Sequence, residues 1–206
     1  AGSPLEKITT DETLAAVDAA IDADRPDAIA ISLLHAWHDA DDERRLAEAI
    51  RDRHPALPIS IGTAVAPGIR LVPRTRSAVA DAALTPIMRS FLDDVDAAGG
   101  EVRTLVSTSQ AGLVPSSEVR PSETLLSGPA AGVLGAMQAA RSFTREPIVG
   151  FDMGGTSTDV ARAADTLDLR DETVVGDAEV RSPAVDLHTD RKSTRLNSSH
   201  TVISYA

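Results

Sequence analysis

An acid-flanked glycine turn at residues 147–161 carries the residue types in this chain that are best suited to chemistry. The segment reads Pro-Ile-Val-Gly-Phe-Asp-Met-Gly-Gly-Thr-Ser-Thr-Asp-Val-Ala. An apolar run ends at Asp152, glycines follow at 154 and 155, and a second run resumes after Asp159. The pattern predicts a β-hairpin with an acid at the end of its first strand and a turn rich in hydrogen-bond donors.

The composition of this turn is typical of an anion site. Consecutive backbone N–H groups in a glycine-containing turn form a concave anion-binding surface, and glycine lets the backbone approach a phosphate without an intervening Cβ. The carboxylate of Asp152 is suited to hold Mg²⁺, because Mg²⁺ keeps several waters and takes only one or two protein carboxylates beside phosphate oxygens. The segment therefore predicts a hairpin that binds nucleotide phosphates. The alternative is a tight hairpin whose glycines serve only the turn and whose acids are solvated.

The motif is neither a Walker A loop nor a Rossmann glycine pattern. The string Asp-Met-Gly-Gly-Thr-Ser-Thr-Asp over 152–159 resembles the phosphate hairpin of the actin, sugar kinase and Hsp70 superfamily. More narrowly, it resembles the hydantoinase A and 5-oxoprolinase family, which includes N-methylhydantoinase A-like proteins and acetone carboxylase subunits. Leu-Leu-Ser-Gly-Pro-Ala-Ala-Gly-Val over 125–133 resembles the segment that precedes the hairpin in that family. Further similar segments are 31–35, 41–45, 65–67, 74–75 and 184–189.

This resemblance covers residues 5 to 189, with departures at Asp42 and Asp81. It implies an α/β fold of the actin-like ATPase kind, incomplete here, with ATP and Mg²⁺ as cofactors. Catalytic roles are implied for Asp152 and Asp159, and Asp152 is the expected metal ligand. The expected nucleotide-binding residues are Gly154, Gly155, Thr156, Ser157, Thr158, Ser127 and Gly128.

The activity that the resemblance implies is ATP-dependent hydrolysis of a cyclic amide of the hydantoin or 5-oxoproline type, through phosphorylation of the carbonyl oxygen. A hydantoinase B-like subunit or domain is the expected partner. Three alternatives stay open: an ATP-dependent ketone carboxylase subunit, a sugar or acyl kinase of the same superfamily, and a non-catalytic nucleotide-binding regulator.

Several candidate residues have plainer interpretations. Asp159 could cap a nearby N–H, and Ser127 could be a simple helix N-cap. His35 follows a buried strand, where α/β proteins often bind ligands, but a structural role is favoured. Asp186 and His188 share a strand face and are a weak candidate for a pair of metal ligands, since two ligands are too few for a site. We expect His38 and His54 to be solvated.

Hydrophobic periodicity predicts the elements that position these residues. The pattern predicts a helix that opens at residues 10–12, then strands over 27–34 and 58–61 with a helix over 39–54 between them. This β-α-β alternation indicates a parallel sheet with a crossover helix. Residues 72–98 predict one long helix or two, with a possible kink at Pro86 and a stop at Gly99-Gly100. Its predicted apolar stripe is Ala80, Ala83, Leu84, Ile87, Met88, Phe91, Leu92 and Val95. The later predictions are a strand over 101–108, a helical turn over 116–119, a helix from Ser127 with close packing over 130–140, hairpin strands over 148–151 and 159–162, and β-structure over 173–182.

Composition narrows the possible partners. The net charge of −11 argues against binding to nucleic acids or anionic membranes. The absence of cysteine excludes disulfides and thiolate chemistry and is consistent with a cytoplasmic protein. No apolar run approaches membrane-spanning length. Because aromatic residues make up only 2% of the chain, the core must be built from Ala, Val, Leu and Ile.

The expected organisation has three parts. Residues 1–70 end the N-terminal region of the resembled family, and residues 71–189 begin its hydantoinase A domain. Residues 190–206 read as an artefactual or disordered tail, because the composition changes there and brings the only Asn and the only Tyr. The chain is thus expected to be an internal fragment, inactive by itself.

Overall fold

The computed structural model describes residues 11–155, 157–175 and 178–191. The predicted phosphate ligand Thr156 and the predicted tail from residue 192 onward lie outside these residues. The helices are α1 (Asp11–Asp24), α2 (Asp41–Arg53), α3 (Gly62–Val65), α4 (Leu71–Gly99) and α5 (Ser127–Ala140), with a 3-10 turn at Pro121–Thr124. The strands are β1 (Ile29–Ile31), β2 (Ile59–Ile61), β3 (Leu105–Ser107), β4 (Leu113–Pro115), β5 (Ile148–Met153), β6 (Ser157–Ala163), β7 (Leu169–Arg170), β8 (Thr173–Val175), β9 (Ala178–Val180), β10 (Ala184–Val185) and β11 (His188–Arg191).

The chain divides into two compact units. Among the described residues, the first contains 11–131 and 169–185, and the second contains 132–168 and 186–191. No helix among the described residues is both long and apolar enough to cross a membrane.

The first unit begins with the predicted parallel sheet. Strand β1 pairs in parallel with β2, and α2 is the crossover between them. Apolar residues of α1, β1 and α2 form a shared core, which includes Leu14, Ile31, Leu46, Ala47 and Ile50. The β-α-β prediction is therefore confirmed.

A buried carboxylate and a buried guanidinium hold the loop after β1. The Leu33 N–H donates to Glu43 Oε1 at 2.8 Å, and the backbone N–H and hydroxyl of Thr63 donate to Oε2 at 2.9 and 2.6 Å. Arg74 donates to the Leu33 carbonyl at 2.5 Å and to the Gly68 carbonyl at 2.7 Å. Both side chains are fully buried. Glu43 of α2 and Arg74 of α4 therefore fix the two peptide groups that flank Leu33, just past the carboxyl end of β1.

We expect Glu43→Ala to lower the free energy of unfolding by about 3 kcal/mol or more. The substitution leaves two backbone N–H groups and a hydroxyl without their acceptor, and each such loss costs about 1–3 kcal/mol when buried. Urea denaturation measures the effect. Glu48→Ala, on the exposed side of the same helix, is the matched control and should change stability by less than about 0.5 kcal/mol. Equal stability of the two variants would contradict this role.

Helix α1 is joined to the end of α2 through Asp18. The His54 ring lies 2.9 Å from Asp18 Oδ1, and the Arg53 guanidinium contacts Oδ2. His54 is therefore half-buried and paired, so the prediction that it is solvated is wrong. The hydrogen bond from His54, followed by the hydrogen bond and charge of Arg53, lowers the pKa of Asp18 below its usual value of 3.8, although partial desolvation opposes this.

This depressed pKa predicts a pH dependence. A carboxylate with a lowered folded-state pKa stabilises the fold above its unfolded pKa, and the contribution is lost as the pH falls through the folded pKa. We expect Asp18→Asn to lower the melting temperature at neutral pH and to make the loss of stability below pH 3.8 shallower. Thermal melts across that range measure it, with Asp22→Asn on the exposed face of α1 as control. A steeper acid loss in Asp18→Asn would contradict the assignment.

Helix α4 is a single helix that contains Pro86, but its orientation differs from the prediction. Ile87 and Phe91 of the predicted apolar stripe are 73% and 60% exposed, while Leu92 is buried. The buried face of α4 is instead largely polar and consists of Arg74, Ser77, Asp81 and Thr85 together with Ala78 and Ala82.

Long-range hydrogen bonds explain this reversal. Asp81 accepts from the Ser60 hydroxyl at 2.7 Å and from the Ser122 N–H at 3.0 Å. The Ser77 hydroxyl accepts from the Arg181 N–H at 2.8 Å. Buried polar groups are tolerated when they are hydrogen-bonded, so partners from distant segments decide which face of α4 is covered.

The rest of the first unit consists of short β-pairs. Helix α4 ends before Gly100, whose φ of +61° suits glycine. The predicted strand over 101–108 is shorter, as β3, and forms an antiparallel hairpin with β4. Residues 116–118 form a single hydrogen-bonded turn, in which the Val119 N–H donates to the Pro115 carbonyl at 3.2 Å, and this agrees with the predicted turn of helix. The predicted β-structure over 173–182 is the β8–β9 hairpin, and β7 pairs with β10.

The second unit contains a three-stranded antiparallel sheet in the order β11-β6-β5. Strand β11 extends through Asp190 and Arg191, which pair with Thr158 and Ser157. The first two residues of the predicted tail thus belong to the sheet.

The aromatic side chains of the described residues do not form the core. They are all exposed: Trp37, Phe91, Phe143 and Phe151. The buried hydrophobic residues are Ala, Val, Leu and Ile with one Met, as the composition predicts.

Candidate functional site

The predicted hairpin is confirmed, and its register places two acids opposite each other. Strand β5 pairs with β6 so that Asp152 faces Asp159 and Met153 faces Thr158. The Gly154 N–H donates to the Ser157 carbonyl at 2.9 Å and closes the turn. The two carboxylates therefore lie on one face of the sheet, immediately before and after the turn.

The two opposed carboxylates carry like charges, and neither is paired with a cation in the described part of the chain. Directly opposed residues have Cβ atoms about 4.5–5.5 Å apart, and like charges in that arrangement are destabilising. Asp152 is exposed and Asp159 is half-buried. Asp159 Oδ1 is buried without a hydrogen-bond partner in the described part of the chain. Capping of a nearby N–H by this oxygen is therefore not observed. A cation bound here would offset both the repulsion between the two carboxylates and the burial of an oxygen without a hydrogen bond.

Helix α5 lies against the same face through small residues. A Cβ added to Gly132 would lie 3.8 Å from Asp152 Oδ2, and one added to Gly150 would lie 3.8 Å from the Ala136 Cβ. This contact confirms the close packing expected for residues 130–140. Gly132 and Gly150 are contributors that the sequence did not single out, although glycine within an element is the signal for a close approach.

The turn itself is open at Gly155. Nothing lies within 4 Å of the position that a Cβ on Gly155 would take, whereas a Cβ on Gly154 would lie 3.6 Å from the Ser157 carbonyl. Neither glycine has a positive φ, since Gly100 is the one glycine of the described residues that does. The backbone conformation therefore does not require glycine at residue 155, and the free space remains available to a ligand.

The predicted hydroxyl ligands separate onto two faces. Side chains alternate along a strand, so Ser157 shares the face of Asp159 whereas Thr158 lies on the opposite face with Met153. Thr189 of β11 pairs with Asp159 and adds a hydroxyl to the acidic face. Its position depends on a pairing that short-range sequence patterns do not reveal.

Ser127 and Gly128 begin helix α5 and belong to the first unit. The Ala130 N–H donates to the Leu126 carbonyl at 3.0 Å, so Leu126 occupies the N-cap position and Ser127 the first helical position. The interpretation of Ser127 as the N-cap is therefore wrong. Phosphate binding by Ser127 and Gly128 stays a prediction from the resemblance.

The remaining candidates are not residues of the hairpin turn. His35 is exposed in the loop after β1 with a φ of 66°. Asp186 and His188 are both exposed, but only His188 belongs to β11, and Asp186 precedes the strand. Within the described residues, no group of three or more His, Cys, Asp or Glu side chains could hold a metal ion.

The acidic pair nevertheless fits Mg²⁺. This ion uses one or two protein carboxylates and completes its shell with water and phosphate oxygens, so it does not need a larger protein cluster. The unpartnered oxygen of Asp159 and the exposed carboxylate of Asp152 supply the donors. The open position at Gly155 leaves room for a phosphate beside them.

The fold is that of the actin-like ATPases. The crystal structure of an ATP-dependent caprolactamase from Pseudomonas jessenii matches with a TM-score of 0.78 and 22% identity, over 91% of this chain and 29% of that one. A nucleotide-free acetone carboxylase structure matches with a TM-score of 0.73 and 21% identity, over 87% and 27% of the two chains.

The chain belongs to the hydantoinase/oxoprolinase family, whose sequence profile matches residues 74–189. The 5-oxoprolinase of Saccharomyces cerevisiae is 36% identical over 170 residues, which is 79% of this chain and 13% of the yeast protein. The alpha subunit of the Pseudomonas jessenii caprolactamase is 32% identical over 155 residues, 71% of this chain and 22% of that subunit. The chain thus spans less than a third of the length of these relatives.

Proposed function

We propose that this chain forms the phosphate-binding part of an ATP-dependent hydrolase of cyclic amides. The observation that carries the proposal is the opposed pair Asp152 and Asp159 beside the open turn at Gly155. Because the relatives are several times longer, the activity is proposed for a polypeptide of their length that contains this chain, which we call the whole protein. The 206-residue chain alone should show no measurable ATPase activity, because one hairpin cannot enclose a nucleotide.

The substrate class follows from relatives with a substantial sequence match. The names 5-oxoprolinase and caprolactamase denote enzymes that act on cyclic amides, and their sequences are 36% and 32% identical to this one. The likeness to acetone carboxylase, at 21% identity, concerns the fold. A cyclic amide is therefore favoured over a ketone.

The proposed reaction consumes ATP and water and yields an amino acid, ADP and phosphate. The amide carbonyl oxygen takes the terminal phosphoryl group of ATP, which makes the carbonyl carbon more electrophilic. One water adds to this carbon and the C–N bond breaks, so that the ring nitrogen leaves as the amine and the acid is left as an acyl phosphate. A second water then releases phosphate. Catalysis of phosphoryl transfer consists mainly of positioning and of neutralising charge on oxygen. Bound Mg²⁺ would supply that neutralisation.

Different residues of the hairpin have different proposed roles in binding the phosphate and the cation. The N–H groups and hydroxyl at Gly155 and Ser157 would hold phosphate oxygens. Asp152, which is exposed, would hold the cation, and the half-buried Asp159 would fix its position from the opposite strand. Helix α5 lies close to the Asp152 carboxylate at Gly132, where the absence of a side chain leaves room for it. A hydantoinase B-like subunit or domain is the proposed partner.

Substrate-dependent ATP hydrolysis tests this function. The whole protein is assayed for phosphate release with 5-oxoproline, a hydantoin, caprolactam, acetone together with bicarbonate, or no addition, and the organic product is identified by mass spectrometry. We expect phosphate release with a cyclic amide, in step with the ring-opened amino acid. Release with acetone and bicarbonate alone would favour carboxylation, and release that no cyclic amide stimulates would contradict the proposal.

A further inference from the structure

A cavity of about 570 Å³ lies in the first unit, between β2, α4 and the loop that precedes the 3-10 turn. Its volume is within the range of about 300–1,000 Å³ that is typical of small-molecule sites. Apolar side chains contribute to its lining, among them Ile59, Ile61, Met88 and Leu92. The cavity is built entirely from the first unit, so it is separate from the hairpin of the second unit.

Most charged groups of this cavity already have partners. Asp81 is bonded to Ser60 and Ser122. Asp96 accepts from Thr104 and Ser116, and these hydrogen bonds lower its pKa, which keeps it ionised. Arg120 pairs with Glu123 at 2.9 Å. These groups shape the wall without offering a free charge to a ligand.

Two oppositely charged side chains on α4 have no such partners in the described part of the chain. Arg89 and Asp93 line the cavity, and neither forms an ion pair or side-chain hydrogen bond within the described residues. They are one helical turn apart, at a spacing that puts their Cβ atoms about 5–6 Å from each other. A basic residue that precedes an acidic one at this spacing is the less favourable order for an intrahelical pair. Both side chains are exposed to solvent at the edge of the cavity, where their charges remain available to a ligand.

We propose that this cavity binds a zwitterionic amino acid with an aliphatic side chain. Arg89 receives the carboxylate, because a guanidinium matches a carboxylate with two parallel hydrogen bonds. Asp93 receives the ammonium group, and the aliphatic side chain packs on Met88 and Leu92. A ligand with only one charge would leave the other protein charge unpaired. This assignment rests on the cavity's charges and is independent of the proposed function.

Calorimetry on the 206-residue chain tests this site with four probes: leucine, leucinamide, N-acetylleucine and glycine. We expect leucine to bind with a dissociation constant of about 0.1–1 mM. Leucinamide lacks the carboxylate and N-acetylleucine lacks the ammonium group, so each should bind at least about tenfold more weakly. Glycine lacks the side chain and should also bind more weakly. Absence of saturable leucine binding, or equal affinity for the four probes, would overturn the proposal.

Two variants that each remove one charge test which protein side chain binds the carboxylate of the ligand and which binds its ammonium group. Arg89→Gln should weaken leucine at least about tenfold and make leucine and leucinamide bind alike, since the carboxylate contact is gone. Asp93→Asn should instead make leucine and N-acetylleucine bind alike. Arg51→Gln and Asp52→Asn, on exposed positions of α2, are the matched controls and should leave affinity unchanged. Full leucine affinity in both α4 variants would place the ligand elsewhere and overturn the assignment.

Discussion

Replacing Asp152 with asparagine should reduce the ATP-dependent turnover of the whole protein by about a hundredfold or more while the fold stays intact. The exposed carboxylate forms no hydrogen bond in the described structure, so its removal costs little stability. The same change removes a charge that orients the cation during phosphoryl transfer, and losing one such electrostatic contact costs about 10²–10³ in rate. Steady-state phosphate release measures the effect.

Asp165→Asn is the matched control for this prediction. Asp165 lies in the same unit and is exposed, and only its backbone carbonyl makes a contact, with Arg141. Its substitution should leave the rate unchanged. An Asp152→Asn protein with the wild-type rate, or an Asp165→Asn protein with an equal loss, would refute the role assigned to the acidic pair.

Replacing Gly155 with valine should abolish nucleotide binding without unfolding the protein. The sequence alone left two explanations for this glycine, a backbone conformation that only glycine adopts and the close approach of a phosphate. The structure removes the first, because Gly155 has no positive φ and a Cβ there would meet nothing within 4 Å. A β-branched side chain should therefore fit the free hairpin and exclude only the ligand. Calorimetric titration with ATP and Mg²⁺ measures the loss.

Gly135→Val in α5 provides a comparison, because a Cβ there also meets nothing within 4 Å. It should retain nucleotide affinity apart from the modest destabilisation expected in a helix. Unchanged ATP affinity in a folded Gly155→Val protein would show that the glycine is only structural and that the phosphates bind elsewhere.

The sequence predicted the hairpin and the β-α-β unit because both are encoded by local patterns. A glycine turn between two apolar runs determines the pairing of Asp152 with Asp159. Alternation of short apolar runs with a helical period determines the parallel pairing of β1 and β2. In each case the residues that specify the structure are close together in the chain.

The orientation of α4 could not be predicted in the same way. Its apolar residues Ile87 and Phe91 are exposed, and Asp81 is buried because it is bonded to Ser60 and Ser122. These partners are 21 and 41 residues away, so no helical periodicity reveals them. The same limit applies to Thr189, which joins the acidic face only through the register of β11.

The most direct test of the central claim is a crystal structure of the whole protein with a non-hydrolysable ATP analogue and Mn²⁺ in place of Mg²⁺. Anomalous scattering locates the metal independently of the nucleotide. We expect phosphate oxygens within hydrogen-bond distance of the Gly155 N–H and the Ser157 hydroxyl, with the metal beside Asp152. Nucleotide phosphates and metal bound at another site, with the turn between Asp152 and Asp159 in contact with neither, would contradict it.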